Sequence, residues 1–162
     1  MLFRVCGLVA LTSVSVGAED RQLTLKKVLV SVELSCPSCA QGLERRLLRL
    51  PEINEIEIRQ TEGEIALKAR GEMNIDLQKV QDTIRNAGFI PDGFDVTGIG
   101  RVITRDAVAG ITFGDSSFFE LEEGLYTDQL LQADAAQSFL ITGRVVTETL
   151  DRIDVFRVKR SY

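Results

Sequence analysis

The chain has 162 residues, 44% hydrophobic and 27% charged, with 19 basic and 24 acidic side chains and a net charge of −5. This is the composition of a folded protein with room for one average domain or two small ones, and its acidic balance speaks against nucleic acid as the main partner, because phosphate binding needs a concentrated basic surface. The absence of histidine excludes Ser-His-Asp and Cys-His catalysis, imidazole zinc sites and histidine proton shuttles, and leaves three cysteines to carry most of the chemistry.

Residues 1–18 begin with Arg4 after three residues, continue through an apolar run from Val5 to Leu11, and end in Val16-Gly17-Ala18 before Glu19-Asp20. A positive start, a short apolar stretch and small residues before the acidic pair predict a secretory signal peptide cleaved after Ala18. The run is too short and too broken by polar residues to serve as a permanent membrane span. Cleavage removes Cys6 and leaves one pair, Cys36 and Cys39. The expected location is then secreted, in an oxidising compartment such as a bacterial periplasm.

Alternation over residues 28–34 predicts a strand, with Val28, Val30, Val32 and Leu34 on the buried side. Cys36-Pro37-Ser38-Cys39 follows, and there the period becomes helical: Ala40, Leu43, Leu47 and Leu50 form a stripe, with Arg45, Arg46 and Arg49 outside it. Ile56 and Ile58, then Ile65, Leu67 and Ala69, predict two strands joined at Gly63 as a hairpin. Asn74 or Asp76 is positioned to cap a second helix carrying Leu77, Val80, Ile84 and Ala87, with Gly88 as its stop. A short fourth strand begins at Phe89-Ile90-Pro91. Strand, helix, strand, strand, helix, strand is the order of a ferredoxin-like βαββαβ domain, expected over residues 19–93.

From Phe94 the composition shifts, and eight of the ten aromatics fall in residues 94–162. Strands are predicted at 98–103, 108–113, 117–121, 139–147 and 152–159, with one short helix at 126–136. The expectation is a small, mostly-β, OB-like barrel domain over residues 94–162, so that the whole chain is α+β with two domains. This half has seven basic and eleven acidic residues, which favours protein docking over oligonucleotide binding, by fold analogy.

The spacing of Cys36 and Cys39 brings two thiols together at a strand-to-helix junction. Pro37 suits the first helical position, and the positive end of the helix favours thiolate over thiol. Two thiolates can clamp a soft ion: Cu(I) and Hg(II) accept low coordination, whereas Zn(II) normally takes four ligands. Met73 is the one other soft ligand left after cleavage.

Residues 27–93 resemble the heavy-metal-associated domain family of copper chaperones, metal-pumping ATPase modules and the periplasmic mercury-binding protein. The resemblance rests on the strand at 28–34, the Cys36-x-x-Cys39 pair opening a helix, the hairpin around Gly63, and Ala87-Gly88-Phe89. It implies metal binding by Cys36 and Cys39, with Phe89 packing beneath the metal loop. Leu34 stands where the family usually has methionine, and Ser35 where it usually has threonine or histidine. Leucine can fill methionine's volume.

The reading is a secreted, non-enzymatic carrier or chaperone of Cu(I) or Hg(II). Cys36 and Cys39 are its ligands, with Ser35 and Ser38 shaping the loop. A membrane metal transporter is the expected protein partner, docked through Arg45, Arg46 and Arg49 or through the second domain, and two copies sharing one ion is an open possibility. The alternative is a periplasmic thiol–disulfide redox protein using the same Cys-Pro-Ser-Cys pair. A short-range structural disulfide is the third reading, and it would add little stability.

Overall fold

A computed structural model describes residues 22–114, 117–134 and 136–160. The predicted signal segment, with Cys6, lies outside the described residues. The elements are β1 (Thr24–Val32), α1 (Pro37–Leu47), β2 (Ile53–Arg59), β3 (Glu64–Ala69), α2 (Leu77–Asn86), β4 (Pro91–Arg105), β5 (Val108–Thr112), β6 (Phe119–Leu121), α3 (Thr127–Leu131), β7 (Phe139–Val145) and β8 (Arg152–Arg160). Among the described residues no helix is long and apolar enough to cross a membrane.

Local signals account for the first elements. In β1, Val28, Val30 and Val32 are buried in strict alternation. The strand starts earlier than alternation alone indicates, because a bulge between Leu25 and Lys27, opposite β4, breaks the phase and returns Leu25 to the buried side. α1 buries Ala40, Leu43 and Leu47 of the predicted stripe, and its fourth member, Leu50, lies beyond the helix end and is half-buried. The β2–β3 hairpin turns at Gly63, which has a φ of 65°. Asp76 caps α2 by accepting from the Lys79 N–H at 3.2 Å. Asn74, the other candidate cap, instead accepts from the Leu25 N–H at 2.6 Å and ties the approach to α2 onto β1. Gly88, with a φ of 89°, follows the helix as expected.

The expected fold class, a ferredoxin-like domain followed by a separate OB-like barrel domain, is corrected by the sheet. All eight strands belong to one mixed sheet in the order β2-β3-β1-β4-β5-β6-β8-β7, and β7 also pairs with β4. The boundary expected at residues 93 and 94 falls inside β4, a single 15-residue strand. Residues 91–99 of β4 pair with β1 along one edge, residues 94–100 pair with β7 along the other, and residues 101–105 pair with β5. The pairings β4–β5, β5–β6, β6–β8, β8–β7 and β7–β4 therefore form a closed circuit that shares its first strand with the helix-covered half. All but β6–β8 are antiparallel.

The physical reason lies in Gly98 and Gly100. A Cβ on Gly98 would lie 2.8 Å from Phe113 Cδ1 and 2.9 Å from Leu25 Cα; one on Gly100 would lie 2.9 Å from the Thr112 carbonyl oxygen. These glycines are places of close approach within a continuous strand, not breaks between two. The core is correspondingly continuous. Val28, Val30, Leu43, Leu67 and Ile84 share one buried cluster with Phe94, Phe113, Phe139, Ile141 and Ile153. Phe113 and Phe119 meet edge to face, with centroids 5.9 Å apart. Gln81, buried on α2, donates to the Thr147 carbonyl at 2.8 Å, and the Thr147 hydroxyl donates to the Asp92 carbonyl at 3.2 Å. The two halves are thus joined by a strand, a core and polar contacts.

Candidate functional site

The segment from Glu33 to Cys36 leaves the end of β1 and enters α1. Two contacts fix it. Leu34 is buried, as the alternation over residues 28–34 predicts. The Gln60 side-chain amide, from the turn between β2 and β3, donates to the Leu34 carbonyl at 3.2 Å. Sequence reasoning missed Gln60, because nothing in its local pattern marks a glutamine in a turn as the support of a loop 26 residues earlier.

Cys36 is the N-cap of α1. Its backbone is extended (φ −142°, ψ 137°), Pro37 occupies the first turn, and its sulfur accepts from the Cys39 N–H at 3.1 Å. The Cys36 sulfur and the Ser38 hydroxyl oxygen are 3.4 Å apart. A sulfur at this position meets one of the unsatisfied N–H groups of the first turn and the positive end of the helix, and both favour negative charge on it. Cys36 and Cys39 are joined by a disulfide, with Cα atoms 5.3 Å apart. Cys36 is half-buried and Cys39 is exposed.

The other predicted site residues divide. Ser38 is beside the pair, whereas Ser35 is exposed. Phe89 is half-buried and packs against the apolar core. Met73 lines a separate cleft beside the start of α2, a cleft whose walls do not include either cysteine. Arg45, Arg46 and Arg49 are exposed along α1 and just beyond its end, where cationic side chains complement the negative pole of the helix. Among the described residues no group of three or more histidine, cysteine, aspartate or glutamate side chains is arranged to hold a metal ion. The described part of the chain offers two cysteine sulfurs, Cys36 and Cys39, to a thiolate-bound ion.

No protein-family model matches the chain, and no curated protein matches it. The resemblance to the heavy-metal-associated domain stands on the residues quoted for it alone.

Proposed function

We propose that the protein is a thiol–disulfide exchange protein whose working group is the Cys36–Cys39 pair. The observation that carries this reading is the exposed disulfide at the helix N-terminus, with Cys39 open to solvent and the Cys36 sulfur already accepting the Cys39 N–H. A thiolate on a partner attacks the accessible Cys39 sulfur. The Cys36–Cys39 bond breaks, a mixed disulfide forms between the partner and Cys39, and Cys36 leaves as a thiolate. The leaving thiolate is stabilised by the same N–H and by the helix end, which speeds departure. A second thiolate on the partner then attacks the mixed disulfide at the partner's sulfur and releases Cys39. The partner loses two electrons and gains a disulfide; the protein gains the two electrons as a dithiol. An oxidising compartment, expected from the first eighteen residues, is where such a pair is returned to the disulfide.

The test is thiol trapping: oxidised glutathione for the single-cysteine variants, whose thiolate displaces one glutathione thiolate, and reduced glutathione for the wild-type disulfide. Cys36→Ser is expected to accumulate a mixed disulfide on Cys39, because the internal resolving thiol is gone. Cys39→Ser is expected to accumulate much less, because Cys36 is the less accessible sulfur. A wild-type disulfide that resists excess reduced glutathione, or equal trapping on both single variants, would sink the mechanism.

Soft-metal capture is a second reading, and the closeness of the two sulfurs at one helix end favours it. Once reduced, Cys36 and Cys39 would present two thiolates to Cu(I) or Hg(II), leaving positions for a partner's ligand or a second copy. Native mass spectrometry of the reduced protein with Cu(I), Hg(II) and Zn(II) addresses it. One retained ion that is lost in the Cys36→Ser/Cys39→Ser double variant supports the metal reading; no retained ion removes it.

A further inference from the structure

A second site lies at the junction of the two halves, independent of the cysteine pair. A cleft of about 440 Å³ opens beside the N-terminus of α2, bounded by Pro51, Glu52, Ile75, Leu77 and Phe118. Its size is that of a recess for a small ligand. Glu52 sits between α1 and β2 and is only 3% exposed. Its Oε1 accepts no hydrogen bond from the described residues. A carboxylate taken out of water normally has its charge met by donors or by a cation. Lys79, which also lines the cleft, is paired there with Asp76: its Nζ lies 3.2 Å from Asp76 Oδ2. That contact, together with the Asp76 charge and then the Glu52 charge, raises the Lys79 pKa above the ordinary lysine value. The cleft thus combines one unmet acidic acceptor with mixed walls, in which Ile75, Leu77 and the Phe118 ring stand beside Asn74, Asp76, Gln78 and Lys79.

We propose that this cleft binds a small organic cation, an alkylammonium or alkylguanidinium group, through Glu52. The cationic N–H groups would donate to the Glu52 carboxylate, and the alkyl body would pack on Phe118, Ile75 and Leu77. The same chemistry is presented by a free amine and by the lysine or arginine side chain of another protein. Nothing in the proposal depends on the oxidation state of Cys36 and Cys39.

The experiment is titration of the full chain, followed by NMR shifts, with n-butylammonium, agmatine, N-acetyl-lysinamide and the neutral control n-butanol. At least one cation is expected to saturate and to bind about tenfold or more tightly than n-butanol. Glu52→Gln is expected to remove that preference, while Glu57→Gln, an exposed carboxylate on β2, keeps it. Equal binding of n-butanol and the cations, a preference that survives Glu52→Gln, or no saturation by any cation overturns the proposal. If Glu52→Gln does not fold, Phe118→Ala takes its place: weaker cation binding supports the site, and unchanged binding overturns it. Tighter binding of N-acetyl-lysinamide than of the free amines names a protein side chain as the source, and the reverse order names a free amine; both orders support the site.

Discussion

The helix-covered half of the sheet and the closed circuit of strands are built by different means. In the first, β1, β2, β3, α1 and α2 are specified mainly by neighbours in sequence: alternating valines, a capping sulfur at Cys36, a capping carboxylate at Asp76, and glycines at turn positions 63 and 88. In the second, β4, β5, β6, β7 and β8 depend on contacts between residues far apart. Phe94 faces Val145 and Gly98 faces Ile141 across a ladder of long sequence separation. The lesson is that a glycine's meaning depends on which half it occupies. Gly63 supplies a turn, whereas Gly98 supplies space for Phe113 and for the backbone of β1.

The strongest way to break this comparison is at Gly98. Gly98→Val would force side-chain atoms into Phe113 and the backbone of β1, and is expected to cost more than about 3 kcal/mol in urea unfolding. Loss of both halves in one transition would fit the shared strand; loss of the circuit alone, with the helices intact, would separate them. Gln81→Ala comes next. It leaves the Thr147 carbonyl without its donor and is expected to cost about 1–3 kcal/mol, measured the same way. Asp76→Ala removes the α2 cap and is expected to cost about 1 kcal/mol, with amide exchange rising first in the opening turn of that helix. The same substitution removes the hydrogen bond that raises the Lys79 pKa. In the wild type, the small contribution of this exposed pair is present below the ordinary lysine value and lost as pH rises through the raised one. Gly42→Ala has the opposite sign: a Cβ there meets nothing within 4 Å, so the helix should gain about 0.5–1 kcal/mol from the better helix former. A destabilising result at Gly42 would mean that α1 uses that glycine as β4 uses Gly98.

What could be read in advance follows the same division. The helix stripes at Ala40, Leu43 and Leu47 and at Leu77, Val80 and Ile84 were legible because helical period and burial coincide. The strand segments β5, β7 and β8 were also placed close to their predicted positions, since β-branched and aromatic runs mark them. Their assembly was not legible. Phe94 read as the start of a second domain and residues 98–103 as a separate strand, although both lie within one strand. At the candidate site, the spacing Cys36-x-x-Cys39 identified the two sulfurs and their place at a helix start. It did not distinguish a thiolate pair from a disulfide, since both satisfy the same spacing. Gln60 and Glu52 gave no signal, because their roles arise from what tertiary packing places around them.

The two-sided pairing of β4 also sets an order of events during synthesis. A chain made only as far as Arg105 has β1 available for one edge of β4, but the other edge waits for residues 139–145. Until those residues emerge, the growing chain carries an open strand edge bearing Phe94 and Val96, groups that are fully buried in the finished protein. Such an edge is a template for pairing with other chains. The interval between β4 and β7 is therefore the stage at which this protein most needs protection from its own copies, and any delay in that stretch should appear as aggregation, not as slow folding.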